Sequence, residues 1–492
     1  MREILTLQLG HLGNFTATHF WNLQESYFTY SDQGECLVDH DIHWRPGIGV
    51  DGSETFLPRT VIYDLKSEFG SLRKINPLYD GTSESAAAAD SLWSAPSIVH
   101  KQQAVAPSAY QQSLDAGKEP SPLTTSTVRY WSDFSRVYFH PKSSMQLCDL
   151  ERQSTTLPFE SVATGSELFS FLDKHQDVVD TDWRPFVEEC DLMQGTQVFT
   201  TMDDAWGGFA ASYLEALRDE YPKSCIWVWG LQSPSLGIPG KTRQLRLSNT
   251  VQTLHQIYGQ SSMLVPLALP PIITDSQEDL DSSSSWHVTA LLAAMAEVAL
   301  TPCRLRGESR QPSLSDLAEM LNIRGNQHLA AAKIMPSIRT QDVAGKNTHT
   351  SLFQLGWDGG KTKSRASHVF GEVISQRGPL SSEKDSDAKY KVSPRHVYGE
   401  SVIKRYKTPL SFPLLNSYPP VFGTVTGKTE VPLRATMTTD TYIYDRMKVL
   451  RLQATSLIHT NEREALDNGI SEIADAYRDD WSSGSDEDDD DL

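Results

Sequence analysis

A strand–helix–strand pattern in the middle of the chain is the strongest constraint on its fold. Residues 197–201 (QVFTT) and 224–230 (SCIWVWG) are short apolar runs typical of buried strands. Between them, apolar side chains recur at helical spacing from Trp206 to Leu217, and Pro222 ends the helix. Two strands joined in this way pair in parallel. We therefore predict an α/β fold with a mainly parallel sheet and flanking helices.

A second pattern of this kind opens the chain. Residues 4–9 (ILTLQL) predict a buried strand and residues 15–27 a helix. The loop between them contains Gly10, Gly13 and Asn14, with Asn14 as the expected N-cap. Such a loop can present backbone N–H groups to a phosphate. Two glycines fit a simple tight turn as well, and the spacing alone favours the turn.

Charge and composition narrow the classes of partner. The 492 residues carry 44 Lys and Arg against 63 Asp and Glu, a net charge of −19, which argues against a general nucleic-acid binder. Eight acids and no base lie in residues 479–492, which is typical of a solvated, disordered tail. Lys361, Lys363 and Arg365 form only a local basic patch. Residues 81–127, rich in Ala, Ser and Pro, predict an irregular insertion.

Cysteine content favours a reducing compartment, and hydropathy gives no sign of a membrane-spanning segment. The five cysteines form no CxxC pair, so a disulfide framework or structural zinc site is not expected. No apolar run reaches the roughly 18 residues of a membrane-spanning helix; the apolar segment 288–300, which contains Glu297, predicts a buried helix instead. The N-terminus resembles neither a secretory signal nor a transit peptide.

Few residues form a pattern with known chemistry. The chain has no G-x-x-x-x-G-K-[ST], H-E-x-x-H or G-x-S-x-G motif. His40, Asp41 and His43 form a cluster that fits a surface loop better than a metal site. Asp203 and Asp204 are either a carboxylate pair for acid–base chemistry or, as we favour, acids at a solvated helix N-terminus. The residues alone therefore predict no convincing active site.

Several separate segments resemble a known family. Residues 1–14 (MREILTLQLGHLGN) and the pair Phe20-Trp21 resemble the start of tubulins. Residues 39–46 (DHDIHWRP), 55–64 (TFLPRTVIYD), 128–134 (VRYWSDF) and 286–292 (WHVTALL) resemble the Misato family, divergent tubulin-like proteins whose fungal members are linked to mitochondrial partitioning and mitochondrial DNA inheritance. The resemblance covers most of residues 1–330, and the C-terminal helix with its acid-rich tail is also tubulin-like.

The resemblance implies a tubulin-like, doubly wound fold with the following organisation. An N-terminal α/β domain comprises residues 1–80 and 128–300, interrupted by the insertion at 81–127. A smaller second α/β domain spans 301–440, in which the residue pattern itself predicts a helix at 315–321, with Ser315 as its candidate cap, and strands at 396–405 and 430–436. Residues 441–478 form C-terminal helices, including an amphipathic one with Ile470 and Tyr477 on its apolar side, and 479–492 are the disordered acidic tail.

The resemblance also identifies a remnant nucleotide pocket, formed by Gly10, Gly13, Asn14, Gly207 and Gly208. The phosphate loop of tubulins corresponds to residues 201–208 (TMDDAWGG), which place Asp203 and Asp204 where phosphates would lie. A carboxylate about 4 Å from a phosphate costs about 4 kcal/mol at an effective dielectric of about 20, although a bridging Mg²⁺ would reverse that sign. His11 stands where tubulins have Gln, which also changes the nucleotide contacts. We therefore expect no cofactor, with GTP as the alternative.

The implied function is non-enzymatic. We expect support of mitochondrial distribution and mitochondrial DNA inheritance, at the cytosolic face of mitochondria and in the cytoplasm, with tubulin, its chaperonin or cytoskeletal linkers as partners. One rival is a weak, polymerising GTPase, because Asp316 and Glu319 keep the acid spacing of the tubulin catalytic loop, although Leu314 replaces its Asn. Another is an adaptor that acts through its tail, in which Ser483 and Ser485 precede acids and fit an acid-directed kinase.

Overall fold

The protein is described here from a computed structural model. The structure describes residues 2–29, 36–73, 76, 78, 104–147, 158–234, 237–269, 280–307, 311–336, 350–352, 367–379, 401–422, 429–455, 457 and 460–479. The first part of the predicted insertion, the basic patch at Lys361, Lys363 and Arg365, and the tail with Ser483 and Ser485 lie outside these residues.

One parallel sheet and its two layers of helices form the first part of the fold. Its elements, in chain order, are β1 (Ile4–Leu9), α1 (Gly10–Glu25), β2 (Trp44–Ile48), β3 (Glu54–Pro58), β4 (Thr60–Leu65), α2 (Ala109–Asp115), β5 (Ser144–Leu147), α3 (Val162–Gln176), α4 (Arg184–Glu188), β6 (Gly195–Thr201), α5 (Ala205–Glu220), β7 (Cys225–Leu231), α6 (Gly240–Tyr258), β8 (Met263–Leu267) and α7 (Ser285–Leu300). Six strands pair in parallel in the order β5-β4-β1-β6-β7-β8, while β2 and β3 form a separate hairpin. The predicted α/β class and the strand–helix–strand unit are confirmed.

The two faces of this sheet carry different helices. Helices α1 and α7 pack against each other on one face, in a core with Phe20, Phe199 and Trp227. Helices α3, α5 and α6 cover the other face, in a second core with Val198, Phe209 and Val228. Alternate residues of β6 and β7 enter opposite cores, because successive side chains of a strand point to opposite faces. Both faces are therefore buried, as expected for a parallel sheet.

Helix α7 is buried along its whole length. Among the described residues, the segment Ser285–Arg304 alone is long and apolar enough to cross a membrane, and all of it lies inside the protein. Its apolar composition is accounted for by its position between α1 and the second sheet. The predicted buried helix at 288–300 is confirmed.

A smaller mixed sheet and the last helices complete the described chain. Its elements are α8 (Leu314–Leu321), β9 (Ala331–Pro336), β10 (Thr350–Ser351), β11 (Val369–Arg377), β12 (Val402–Thr408), β13 (Phe412–Pro413), β14 (Glu430–Val431), β15 (Leu433–Asp440), α9 (Thr441–Thr455) and α10 (Thr460–Asp475). The order is β10-β9-β15-β11-β12, in which only β11 and β12 pair in parallel. Helices α7 and α8 contact one side of this sheet, and α9 and α10 pack together beside α6.

Three local predictions are corrected by the structure, and a fourth lies partly outside the described residues. Helix α1 begins at Gly10, not near residue 15, so Asn14 lies inside the helix and is not its N-cap. Helix α8 is capped by Ser313, whose hydroxyl accepts from the Asp316 N–H while the Asp316 carboxylate accepts from the Ser313 N–H. The strand predicted at 396–405 is described from residue 401 on, where β12 begins at Val402; its residues 396–400 lie outside the described residues. The insertion contains α2, which is ordered because Tyr110 is buried.

A buried ionic cluster ties the two sheets together. The Glu297 carboxylate on α7 accepts from Gln24 Nε2 (2.5 Å) and Tyr27 Oη (2.8 Å) at the end of α1. It also accepts from Arg304 (2.5 Å) and from Arg377 on β11 (2.9 Å). These two arginines and Glu297 are each at most 2% exposed. Burial alone would raise the pKa of Glu297, but Arg304 and Arg377 hold it below its ordinary value.

Candidate functional site

The carboxyl ends of β1 and β6 form the topological switch point of the parallel sheet. After β1 the sheet continues through β4 on one side, and after β6 through β7 on the other. Helices α1 and α5 therefore leave this point on opposite faces. Doubly wound sheets bind ligands in the crevice outside the carboxyl ends of such strands. The predicted pocket residues Gly10, Gly207 and Gly208 all belong to this region.

Gly10 and Gly13 serve a very close approach of backbone elements. Gly10 has φ of +74°, a conformation that suits glycine, and it begins α1 directly after β1. A Cβ placed on Gly13 would lie 2.7 Å from the carbonyl oxygen of Phe199 on β6. The two glycines therefore let the first helix start without a loop and lie flat on the neighbouring strand. The sequence predicted a loop here, with a tight turn favoured over a phosphate-binding loop, but residues 10–14 are helical and form neither.

Trp206 fills the space above Gly10. A Cβ placed on Gly10 would lie 2.2 Å from Cδ1 of the Trp206 indole. Trp206 is 3% exposed, and its ring packs edge-on against Phe159 at 5.1 Å and Phe209 at 5.4 Å between centroids. The indole therefore occupies the crevice between the start of α1 and the start of α5.

Gly207 and Gly208 pack helices together. A Cβ on Gly207 would lie 2.2 Å from Thr253 Oγ1 on α6. A Cβ on Gly208 would lie 1.9 Å from the carbonyl oxygen of Val162, and one on Gly165 would lie 1.7 Å from that of Ala205. Helices α3 and α5 thus cross in backbone contact through these last two glycines. Gly207 and Gly208, which the resemblance assigned to the nucleotide pocket, therefore pack against α6 and α3.

Asp203 and Asp204 have separate local roles. Asp204 is the N-cap of α5, where its Oδ1 accepts from the Trp206 N–H at 2.9 Å. Asp203 is buried, and its carboxylate accepts from the N–H and the hydroxyl of Ser233. Arg246 lies 3.8 Å from Asp203, and burial raises the pKa of that carboxyl although Arg246 lowers it. Our expectation that both acids are solvated is therefore wrong for Asp203, because Ser233 and Arg246 compensate its burial.

Asp64 is a polar residue at this edge that sequence reasoning missed. It is the penultimate residue of β4, which is buried along its length, and its carboxylate accepts from Asn14 Nδ2 (2.7 Å), Trp131 Nε1 (3.1 Å) and the Leu65 N–H (2.9 Å). Asn14 also donates to the carbonyl oxygen of Tyr63. The signal was available in the sequence, since a carboxylate inside a mostly apolar strand needs buried partners. Asn14 is thus held by Asp64 and turned toward β4.

Burial raises the pKa of Asp64 to about 7, although its hydrogen bonds with Asn14, Leu65 and Trp131 oppose the shift. Because the folded-state pKa lies above the unfolded value of about 3.9, the stabilisation is full below that value and is lost as the pH rises through about 7. Asp64→Asn removes this dependence. We therefore expect the free energy of unfolding of wild type minus that of Asp64→Asn to fall from pH 5 to pH 7, by at most about 1.4 kcal/mol per pH unit.

Urea unfolding followed by tryptophan fluorescence at several pH values measures this difference. Asp219→Asn, which removes an exposed acid on α5, is the matched control for the loss of one carboxylate. For Asp64→Asn, a difference that stays constant, or one that increases as the pH rises, would contradict the raised pKa.

His11 joins the start of α1 to two distant elements. Its Nδ1 lies 3.1 Å from Glu68 Oε2, and its Nε2 lies 3.1 Å from Ser285 Oγ at the first residue of α7. The side chain that stands where tubulins have Gln therefore ties α1 to α7 and to the segment after β4. Together with Asp64, Asp203 and Asp204, Glu68 gives this edge a predominantly acidic lining.

Glu319 lies at the other end of the sheet. The first residue of α8, Leu314, donates its N–H to Gln194 Oε1, just before β6 begins, and its side chain approaches Gly195. Strand β6 has seven residues, so its two ends are about 20 Å apart. Glu319 is exposed on α8, whereas Asp316 is engaged in the helix cap. Within one chain, Glu319 therefore cannot reach a ligand beside Gly10; a second copy stacked on that edge would be required.

The histidine cluster is not on the surface as predicted. His43 is buried and packs edge-on against Phe20 and Trp21. Burial, with help from Arg304, lowers its pKa well below the ordinary value, so the ring is neutral. His40 stacks on Phe28, and its Nε2 lies 3.3 Å from Cys36 Sγ. Among the residues that the structure describes, no group of three or more His, Cys, Asp and Glu is arranged to hold a metal ion.

Comparisons with known proteins cover the whole length of the chain. A family model described as "Tubulin domain" matches residues 120–305, and one described as "Misato Segment II tubulin-like domain" matches residues 2–116. The chain is similar to Protein DML1 of Gibberella zeae, with 53% identity over 500 residues and all of both chains covered. It is also similar to Protein dml1 of Aspergillus niger (41%, all of both chains) and to Protein misato homolog 1 of Pongo pygmaeus (30%, 72% of this chain and 68% of the other).

Proposed function

Because this chain belongs to the Misato/DML1 family of tubulin-like proteins, we propose that it is a non-enzymatic tubulin-like protein that supports the partitioning of mitochondria and the inheritance of mitochondrial DNA. The observation that carries the non-enzymatic part is the Trp206 indole beside Gly10, in the crevice where doubly wound sheets bind ligands. The organelle-related part is supported by the family resemblance, whose fungal members are linked to mitochondrial partitioning.

The electrostatics of the switch point support the same proposal. A nucleotide triphosphate beside Gly10 would approach the start of α5, where Asp204 is the N-cap, while the nearby cation Arg246 is already paired with Asp203. Each uncompensated carboxylate about 4 Å from a phosphate costs about 4 kcal/mol at an effective dielectric of about 20. One such term weakens binding by roughly three orders of magnitude. The Trp206 indole, which fills the crevice beside Gly10, weakens nucleotide binding further.

Location and partners follow from this proposal. We place the protein at the cytosolic face of mitochondria and in the cytoplasm, attached peripherally through proteins. Tubulin-like surfaces favour tubulin, its folding chaperonin or cytoskeletal linkers as partners. The acidic balance of the chain disfavours direct binding to nucleic acid.

Nucleotide titration separates this proposal from a weak, polymerising GTPase. We expect the purified full chain to carry no stoichiometric guanine nucleotide and to show no micromolar binding of Mg·GTP by calorimetry, because Trp206 and the acids occupy the crevice. Glu319→Ala should behave as wild type in the same assay, since Glu319 is exposed at the far edge of the sheet. Micromolar binding with turnover that is lost in Glu319→Ala would establish the GTPase instead.

The cellular part is tested by gene replacement in the organism that carries the chain. Wild type and Glu319→Ala should both restore mitochondrial distribution and retention of mitochondrial DNA after deletion of the gene. A variant in which the acids of residues 480–492 are neutralised tests the adaptor that acts through its tail. If deletion leaves mitochondrial distribution and DNA content unchanged, the proposed role is wrong.

A further inference from the structure

The second sheet has one face that is rich in cations. From Gly371 on, odd-numbered residues of β11, such as Val373, are buried on the side of α7 and α8, while Glu372, Ile374 and Gln376 point to the opposite, partly open side. We call this side the basic sheet face; its cations are Lys333 on β9, Arg434 on β15, and Arg405 and Lys407 on β12. The face is unusual for a chain with a net charge of −19.

Strand register brings these cations together across four strands. Arg405 pairs with Ile374, Ile374 with Thr436, and Thr436 with Lys333, so one row carries a cation at each end. In the next row on the same face, Lys407 pairs with Gln376 and Gln376 with Arg434. Lys333, Arg405 and Lys407 are exposed, and Arg434 is half-buried.

Two acids among the described residues, Glu372 and Asp440, lie near these cations. Burial raises the pKa of Glu372, while Lys333, Arg405 and Arg434 lower it, so this one acid is surrounded by three cations. Asp440 lies nearer the α10 end of the face and is largely buried. The whole segment 331–408, from β9 to β12, contains fourteen Lys and Arg against seven Asp and Glu, a net charge of +7. The strongest positive region of the sequence therefore includes most of this face.

The chain leads into its acidic end beside the same face. After α10, the Tyr477 hydroxyl bonds with the N–H and the carbonyl oxygen of Leu329 (2.7 Å each), two residues before β9 begins. Arg324 donates to the carbonyl oxygen of Arg478 at 2.7 Å and stacks on Phe370, the second residue of β11, at 4.5 Å. The C-terminal segment is thus fixed at one end of β11, on the side that carries Glu372.

Length and charge then identify the occupant. Residues 480–492 hold seven acids and no base. Extended, these 13 residues span up to about 43 Å, whereas Phe370 and Gln376 are about 20 Å apart along β11. We propose that the acidic segment 480–492 of this chain docks on the basic sheet face, and that it covers this face until an external anionic partner displaces it.

The docked segment would act as a competitor held at high local concentration. A short tether gives an effective concentration of about 1 mM. If the segment 480–492 binds the basic sheet face with a dissociation constant of about 0.1 mM, it suppresses binding of an external acidic ligand by about tenfold. Added phosphate at Ser483 and Ser485 would strengthen this suppression, because each phosphate brings up to two further negative charges. The contact should weaken steeply with salt.

Binding of a labelled synthetic peptide of residues 480–492 to the full-length chain tests the proposal. The comparison protein is a full-length tail-neutral variant in which the seven acids of 480–492 become Asn or Gln. We expect the tail-neutral variant to bind the peptide at least about tenfold more tightly than wild type. Adding Lys333→Glu and Arg405→Glu to that variant should weaken binding by at least about tenfold, and raising the salt from about 0.1 M to about 1 M should abolish it.

Lys118→Glu with Lys241→Glu is the matched control, because it makes the same change in net charge at two exposed lysines outside the second sheet. This control should keep peptide binding within about twofold, and circular dichroism checks that each variant is folded. The proposal would be overturned if wild type and the tail-neutral variant bound the peptide equally. Equal losses in the Lys333/Arg405 and the Lys118/Lys241 double variants, or no binding of about 1 mM peptide by the tail-neutral variant, would overturn it as well. If anionic phospholipid vesicles bind wild type and the tail-neutral variant equally through Lys333 and Arg405, the face serves a membrane instead.

Discussion

Glu297→Ala is expected to lower the free energy of unfolding by about 3–5 kcal/mol. The substitution leaves Arg304 and Arg377 buried without the carboxylate that both of them bind. It also removes the acceptor of Tyr27 Oη and Gln24 Nε2 at the end of α1. Urea unfolding followed by tryptophan fluorescence measures the change. We expect a large effect because one residue satisfies donors from three separate parts of the fold.

A surface ion pair provides the control for this prediction. Arg451 contacts both carboxylate oxygens of Asp467, at 2.6 and 2.7 Å, but this pair lies at the surface. Asp467→Ala should therefore cost less than about 1 kcal/mol. Similar losses in Asp467→Ala and Glu297→Ala would show that burial of the Glu297 cluster contributes nothing beyond an ordinary ion pair.

The pH dependence of the Glu297 contribution has a defined sign. Arg304 and Arg377 hold the folded-state pKa of Glu297 below its ordinary value, against the effect of burial. The stabilisation is therefore full above the unfolded value of about 4.3, and it is lost as the pH falls through the lower folded value. The gap between wild type and Glu297→Ala should shrink only in strong acid. A gap that already closes between pH 5 and pH 7 would contradict this assignment.

Trp206→Ala is expected to lower the free energy of unfolding by about 3–5 kcal/mol, because it leaves a cavity where the indole packs against Phe159, Phe209 and Gly10. Free indole should rescue part of this loss, since apolar cavities made by substitution can bind small aromatic molecules. At an indole concentration ten times its dissociation constant, the recovery is about 1.4 kcal/mol. Unfolding midpoints with and without indole measure it.

Wild type treated with indole is the control and should show no gain in stability, because its own side chain fills the space. A loss below about 1 kcal/mol in Trp206→Ala, without any response to indole, would show that Trp206 does not fill the crevice. Mg·GTP titration of the same variant has a separate meaning. Micromolar binding there would show that the Trp206 indole, and not the neighbouring acids, keeps nucleotide out of the crevice of the wild type.

Local patterns predicted the elements of this fold better than their contacts. The apolar runs of β1, β6 and β7 and the apolar surface of α7 are set by neighbouring residues, so periodicity identified them correctly. The start of α1 was misplaced because a glycine loop and a helix that begins at Gly10 have the same sequence signal. Only the positive φ of Gly10 and its contact with Trp206, 196 positions along the chain, distinguish them.

The candidate site was less predictable for a related reason. Family resemblance identified Gly207, Gly208, Asp203 and Asp204 as residues of one region, which the structure places near the switch point. Their partners, Thr253, Val162 and Ser233, belong to other elements and have no sequence signal of their own. Burial of Asp203 therefore could not be inferred from a stretch that reads as polar.

The position of Glu319, about 20 Å from Gly10 across the sheet, has a consequence for any assembly of these chains. Under the proposed function, the exposed acid of one copy in a head-to-tail array would face a crevice that the buried Trp206 fills, instead of a triphosphate. Such an array would have no hydrolysis step to time its disassembly. Its growth and disassembly would follow concentration and binding partners alone, without the energy release that makes a hydrolysing polymer unstable with age.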